Sequence, residues 1–284
     1  MKKMDNSAKK LAPPLWIWLI FSLVALISVT ILFRLLAIKN ENDFAKKTYY
    51  LQNKIKTAGR ENPIVIILGS SLTRCAYDSS SIMENFIEGR TGKKPVIAKI
   101  WRSATNLETI IDHMPVLKDT HPDILVVEAN MFCYSAEHSL INEIPSLLYN
   151  VMDQEISKFY LPEAKPQKRQ DTGQIKTRRG IIDTSQLQSF KQLALILKKQ
   201  GTRIVLVNIP VEASEEAKKW NSADTINFKQ NFDYIQQQVP FTYFDPKQFW
   251  DMSYYYNRGH LNMKGCKAFT QWFCNKLSHQ VNQL

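Results

Sequence analysis

Short unbroken apolar runs alternate with amphipathic stretches over most of this chain. Residues 64–68, Ile-Val-Ile-Ile-Leu, carry no polar position at all. A β-branched run of that kind predicts a strand buried on both faces, the central kind in a parallel sheet. Further strands are expected over 95–101, 123–128 and 203–209, with a short fifth at 241–244. Between them the spacing changes to the helical period. Helices are expected near 80–88, from about 106, over 184–199 and over 264–277. Thr105 and Glu108 have capping-box spacing at the start of the second of these, and Gly201 closes the third. Strands that alternate with helices predict an α/β domain with helices on both faces of a parallel sheet.

Ahead of this domain the pattern differs. Residues 11–33 contain no charged side chain. A bilayer needs roughly 20 apolar residues, so one helix there is long enough to span. Trp16 and Trp18 stand near one end and Arg34 at the other, where interfacial aromatics and a snorkelling cation belong. A cleaved signal peptide is the alternative. No small-x-small cleavage site is evident and the run is long for a signal, which favours an uncleaved anchor. The expected organisation is a cytoplasmic tail at 1–10, an anchor at 11–38, a polar stalk at 39–62 and the α/β domain at 63–284. Lysine and arginine nearly tie across the span, but a short basic tail favours the inside and long domains cross regardless of charge. The domain is therefore expected outside the cytoplasm.

Composition adds two constraints. Hydrophobic residues make up 44%, enough for a core, and the formal net charge of +11 suggests an anionic neighbour. No zinc spacing, helix-turn-helix pattern or RNA-binding aromatic signature accompanies that charge, so nucleic acid is not expected. Residues 163–180 hold six lysines and arginines with no hydrophobic period (Lys165, Lys168, Arg169, Lys176, Arg178, Arg179), as a surface loop or a basic lid would. The cysteines, Cys75, Cys133, Cys266 and Cys274, form no C-x-x-C pair. Cys75 and Cys133 each follow a candidate site strand, which leaves a disulfide between them open beside two plain thiols.

The candidate chemistry lies where strands end. The first strand stops at Gly69 and two serines follow, so a hydroxyl stands at the carboxyl edge of the sheet, where open α/β folds place their sites. The same turn also reads as a plain strand-to-helix connection capped by Ser70 or Ser71. His260 stands in a loop before the last helix, and imidazole is the base a serine needs near neutral pH. Asn130 follows the third strand, where an amide can donate to a developing oxyanion.

Serine after the first strand, amides after the second, asparagine after the third and histidine before the last helix resemble the block order of the SGNH/GDSL hydrolase superfamily. Gly69-Ser-Ser-Leu72 looks like its first block and His260-Leu-Asn-Met-Lys-Gly265 its last, in the variant of the membrane-anchored acyl-transfer branch. The resemblance implies a flavodoxin-like parallel sheet and Ser71 as nucleophile with His260 as base. It also implies an oxyanion site from the amides of Ser71 and Ala104 and the side chain of Asn130. Three positions depart from the pattern. Ser103-Ala104 stands where a glycine is expected, Glu128-Ala-Asn130 has lost its glycine, and Asn257 replaces the acid three residues before the histidine. Asn257 can still accept from the imidazole and set its tautomer, and Asp251 is the nearest acidic candidate in sequence. By resemblance the expected activity is acyl-ester transfer or hydrolysis on a cell-envelope glycopolymer, at the outer face of a bacterial inner membrane. It needs no metal or organic cofactor and works beside a membrane-bound O-acyltransferase. A non-catalytic scaffold or polymer-binding subunit is the competing expectation.

Overall fold

The computed structural model describes residues 14–59, 61–101, 107–132, 184–212, 223–246, 251–257 and 259–284. The chain divides into two compact units, one up to Lys47 and one from Thr48 to Leu284. Ala104, the capping-box residue Thr105, Cys133 with its candidate disulfide to Cys75, and the basic 163–180 segment lie outside the described residues.

Helix α1 is Leu15–Ala58, 44 residues. Within it, Leu15–Leu32 is long and apolar enough to cross a membrane, and every residue from Pro14 to Leu32 is exposed. A run of exposed leucine, isoleucine and tryptophan is costly in water and favourable in lipid, so this stretch is a candidate membrane span. The end of the same helix belongs to the second unit. Leu51 is fully buried in its core, and Lys54 Nζ donates to Glu84 Oε1 and to the Ile97 carbonyl, both at 2.6 Å. Burying a leucine side chain is worth about 1.5–3 kcal/mol, so the last turns of the segment read as a stalk are part of the globular unit.

Among the described residues the second unit is built on five parallel strands: β1 Ile64–Gly69, β2 Val96–Trp101, β3 Ile124–Glu128, β4 Arg203–Val207 and β5 Thr242–Phe244. Their order is β2-β1-β3-β4-β5, the flavodoxin-like order, and every pairing is parallel. Among the described residues the helices are α2 Ser71–Ala76, α3 Ser80–Thr91, α4 Leu107–Asp112, α5 Met114–Thr120, α6 Thr184–Lys199, α7 Ala223–Gln238 and α8 Met263–Asn282. Alternation along the strands supplies two cores. Ile66, Leu68, Leu125 and Val127 pack against α4 to α7 and Leu51, while Val65, Ile67, Val126 and Val205 pack against α2, α3 and α8. The expected α/β class with helices on both faces is the observed one.

This topology positions the site. In an open sheet of this order the crevice lies at the carboxyl ends of β1 and β3, where the connections run to opposite faces. There the turn after β1 meets the end of β3, where Ser70 N donates to Glu128 Oε2 at 2.8 Å.

Candidate active site

The turn after β1 is a helix start with a particular job for each residue. Ser70 is the N-cap of α2, and its hydroxyl accepts from Leu72 N at 3.1 Å. The capping reading of this turn therefore holds for Ser70, which frees Ser71 to point elsewhere. Gly69 admits no side chain, because a Cβ there would strike Thr73 Oγ1 and lie 2.7 Å from Glu128 Oε2.

Ser71 Oγ lies 3.0 Å from His260 Nε2. His260 reaches it from a tight loop closed by a Tyr255–Leu261 bridge and a Tyr256 N–H to His260 carbonyl bond of 2.8 Å. Asn262 caps α8 through Gly265 N at 3.0 Å and donates to the Ser253 carbonyl at 2.7 Å. Gly265 lets the start of α8 press on this loop, since a Cβ would meet the Tyr254 carbonyl. Thr270 of α8 accepts from Asp78 N at 2.8 Å, just past α2, so the elements carrying serine and histidine are tied to each other directly.

The orienting group is Asn257. Its Oδ1 accepts from the backbone N–H of Gly259 at 3.0 Å and of His260 at 2.9 Å, and stands 2.9 Å from His260 Nδ1. Two backbone donors fix that atom as the oxygen. An oxygen facing Nδ1 requires the proton there, which leaves the Nε2 lone pair facing the Ser71 hydroxyl. The tautomer a base needs is thus set without a carboxylate. Asp251 takes no part in it: its Oδ1 accepts from Ser253 N at 2.7 Å at the exposed start of the Met252–Tyr254 turn.

Burial, and to a smaller extent the nearby Arg74 guanidinium, lowers the His260 pKa to about 4. The imidazole is therefore neutral at physiological pH, with its Nε2 lone pair available to accept a proton. Arg74 itself lies 5.2 Å over the Trp101 ring, and Trp101 pairs with Gly69 at the end of β2, so both flank the serine turn.

Asn130 is buried in the turn after β3, at the same edge of the sheet, and its Nδ2 donates to the Ile209 carbonyl at 3.1 Å. That bond joins the segment after β3 to the one after β4. Ser71, His260 and Asn257 are joined by direct hydrogen bonds, whereas Asn130 is bonded toward β4.

One residue at the centre of the site was read only as a lost glycine. Glu128 is 1% exposed, and its carboxylate accepts from Ser70 N (2.8 Å), Ser70 Oγ (2.7 Å) and Thr73 Oγ1 (2.7 Å). Burial raises its pKa, and the hydrogen bonds from Ser70 and Thr73 oppose that rise. The available signal was an acid at the end of a wholly apolar strand, at a position whose parity with Val126 turns it toward α2.

Fold and site together define an α/β protein with a hydrogen-bonded serine–histidine–asparagine set at the carboxyl edge of a parallel sheet. No family model and no curated protein sequence matches the chain. Among solved structures it is similar to Axe2, an acetylxylan esterase from Geobacillus stearothermophilus, at 10% identity and a TM-score of 0.47, over 77% of this chain and 94% of that one. It is also similar to a GDSL-like lipase from Bacteroides thetaiotaomicron, at 8% identity and a TM-score of 0.42, over 84% of this chain and 98% of that one. A third is TesA, at 11% identity and a TM-score of 0.41, over 76% and 99%. The chemistry of the site rests on this chain's own side chains.

Proposed function

We propose that this chain is a membrane-anchored serine acyltransferase or esterase that acts on acyl esters of a cell-envelope polysaccharide or glycopolymer. The observation that carries the reading is the 3.0 Å contact of Ser71 Oγ with a His260 Nε2 whose lone pair Asn257 directs at it. In the first half-reaction Nε2 takes the hydroxyl proton as Oγ bonds to the acyl carbonyl carbon. The tetrahedral oxyanion is held by Ser71 N and, by resemblance, by Ala104 N and the Asn130 amide. Collapse expels the donor's oxygen, which leaves with the proton from His260, and an acyl-serine remains. A sugar hydroxyl, or water, then gives its proton to Nε2 and attacks the acyl carbon. Ser71 Oγ departs and recovers the proton. Atoms balance with no cofactor.

An acidic polymer suits the formal charge of +11 and the Arg74–Trp101 pair beside the nucleophile turn, where a ring can stack on a sugar and a guanidinium can meet an anion. The anchor would be the Leu15–Leu32 stretch, with the α/β unit at the outer face of a bacterial inner membrane and a membrane-bound O-acyltransferase as partner. A scaffold role is favoured by one observation, the uncharged Asn257 behind the histidine, since an amide cannot offset the imidazolium charge.

Full-length protein in detergent, treated with a fluorophosphonate and weighed intact, separates the two. One adduct on wild type, absent in Ser71→Ala and His260→Ala, supports the enzyme. Wild-type polymer acylation by Ser71→Ala in cells would remove Ser71 from the reaction.

A further inference from the structure

Glu128 is a carboxylate that the reaction above does not use. Its side chain lies on the face of β3 that carries Val126, below α2. Among the described residues it forms no ion pair; its partners are hydrogen-bond donors only. Burying a carboxyl group without a countercharge is costly, so what it holds is informative.

It holds the turn on both sides of Ser71. Oε2 accepts from Ser70 N at 2.8 Å, Thr73 Oγ1 at 2.7 Å and Thr73 N at 3.3 Å, and Oε1 accepts from Ser70 Oγ at 2.7 Å. The backbone donors of the turn are thereby sorted. Ser70 N and Thr73 N go to Glu128, Leu72 N goes to Ser70 Oγ, and Arg74 N goes to the Ser70 carbonyl at 3.2 Å. Among the described residues Ser71 N alone of the five has no partner, and it belongs to the residue whose hydroxyl faces His260. Gly69 is bare because Thr73 and Glu128 occupy the space its side chain would need.

We propose that Glu128 is a positioning residue for the nucleophile: it clamps Ser70 and Thr73, keeps Ser71 Oγ against His260 Nε2, and leaves Ser71 N open to an oxyanion. The role rests on the acyl-serine reading above. It is geometric rather than electrostatic. A glutamine in the same place can set its carbonyl where Oε2 stands, while its amide donates to Ser70 Oγ, whose proton then turns away. Alanine offers none of these acceptors.

The test uses the full chain in detergent, with fluorophosphonate labelling rates and the titration of His260 followed by NMR, both beside thermal denaturation. Glu128→Gln should label within about threefold of wild type, and Glu128→Ala about 10²-fold slower, the size of a displaced reacting group. In Glu128→Ala the His260 titration should coincide with that of Ser71→Ala, because in both the imidazole has lost its hydroxyl. A residue that merely supports the fold would not produce that coincidence. Thr73→Val removes one arm of the clamp and keeps the side chain's shape. It should slow labelling several-fold and add nothing in a Glu128→Ala background. If Glu128→Ala does not fold, Thr73→Val decides alone. Wild-type labelling and titration in Thr73→Val overturn the clamp, as does a Glu128→Gln protein as slow as Glu128→Ala. Should wild type itself fail to label, the acyl-serine reading falls. The shared His260 titration then still decides whether Glu128 places Ser71.

Discussion

The two halves of the site are held by opposite means. The serine turn is fixed from the neighbouring strand by a buried carboxylate 58 residues away in sequence, through partners that are themselves 1–9% exposed. The histidine loop is fixed mostly locally, by an exposed asparagine three residues upstream and by its own backbone, with one bond outward from Tyr255 Oη to the Val211 carbonyl at 3.0 Å. In the first, position and stability are the same property, since the bonds that hold the residues on either side of Ser71 also satisfy buried polar groups. In the second they separate, because water can replace what the loop loses. Substitutions in the serine turn should therefore cost stability as well as rate, and substitutions in the histidine loop should cost rate alone.

The largest effect should come from the reacting atoms. Ser71→Ala and His260→Ala should each slow acyl-ester turnover by about 10⁴-fold or more. His260→Ala should do so with little change in melting temperature. A large drop in melting temperature for His260→Ala would erase the contrast between the halves.

Next is the orienting amide. Asn257→Ala removes the acceptor at Nδ1 and should cost about 10²-fold in rate, through a misplaced or wrongly protonated ring. Asn257→Asp keeps all three accepted hydrogen bonds and adds a charge that favours imidazolium, so the rate should rise and the His260 pKa should move up. Steady-state hydrolysis of an activated acetyl ester reads the first, and NMR titration the second.

A pair of glycines sharpens the comparison through stability. Gly69→Ala drives a methyl into Thr73 and Glu128 and should destabilise by about 1–3 kcal/mol or more. At Gly259 a Cβ would meet only Leu72 Cδ2 at 3.8 Å and Asn257 Oδ1 at 3.9 Å, ordinary contacts, so Gly259→Ala should stay within about 0.5 kcal/mol. Denaturant melts of both variants decide it.

The pH dependence follows from His260, whose pKa of about 4 lies below the usual 6.5. The reactive neutral ring should persist down to about pH 4, so the acid limb of the labelling rate should fall there rather than near 6.5. The folded state binds less proton at this group than the unfolded chain does between those values. Its contribution to stability is therefore complete above pH 6.5 and is lost as pH falls toward 4. Arg74→Gln removes the smaller of the two causes and should move the limb upward by less than Asn257→Asp does. The smallest effect belongs to Asp251→Ala, which removes an exposed turn cap and should leave the rate within about twofold.

How much of this was legible varies with the length of the reasoning each feature needs. All five strands and the Thr184–Lys199 helix follow from local period and composition, and they stand where those predict within a residue or two. Three helices gave no such signal. α2 has six residues, too few to show a period; α5 carries Pro115 in its first turn; and α7 is polar over most of its length. Ser71 and His260 could be singled out together, because a hydroxyl and an imidazole at element ends of a parallel α/β pattern can converge and the two most specific blocks of the resemblance fall on them. Glu128 could not be assigned, because a carboxylate at a strand end looks like the edge of the strand until its partners are known.

The sequence by itself determined what is local: the order of strands and helices, the apolar stretch within α1, the glycine at which β1 must turn, and the serine that follows it. Each depends on neighbours a few residues apart, through side-chain period or backbone freedom. Tertiary structure decided the rest. It set the β2-β1-β3-β4-β5 order that brings the ends of β1 and β3 together, and the 3.0 Å contact between residues 189 apart in the chain. It also brought Glu128 into hydrogen bonds with the residues on either side of Ser71. A hydrogen bond depends on distance and direction in space, and chain separation carries neither.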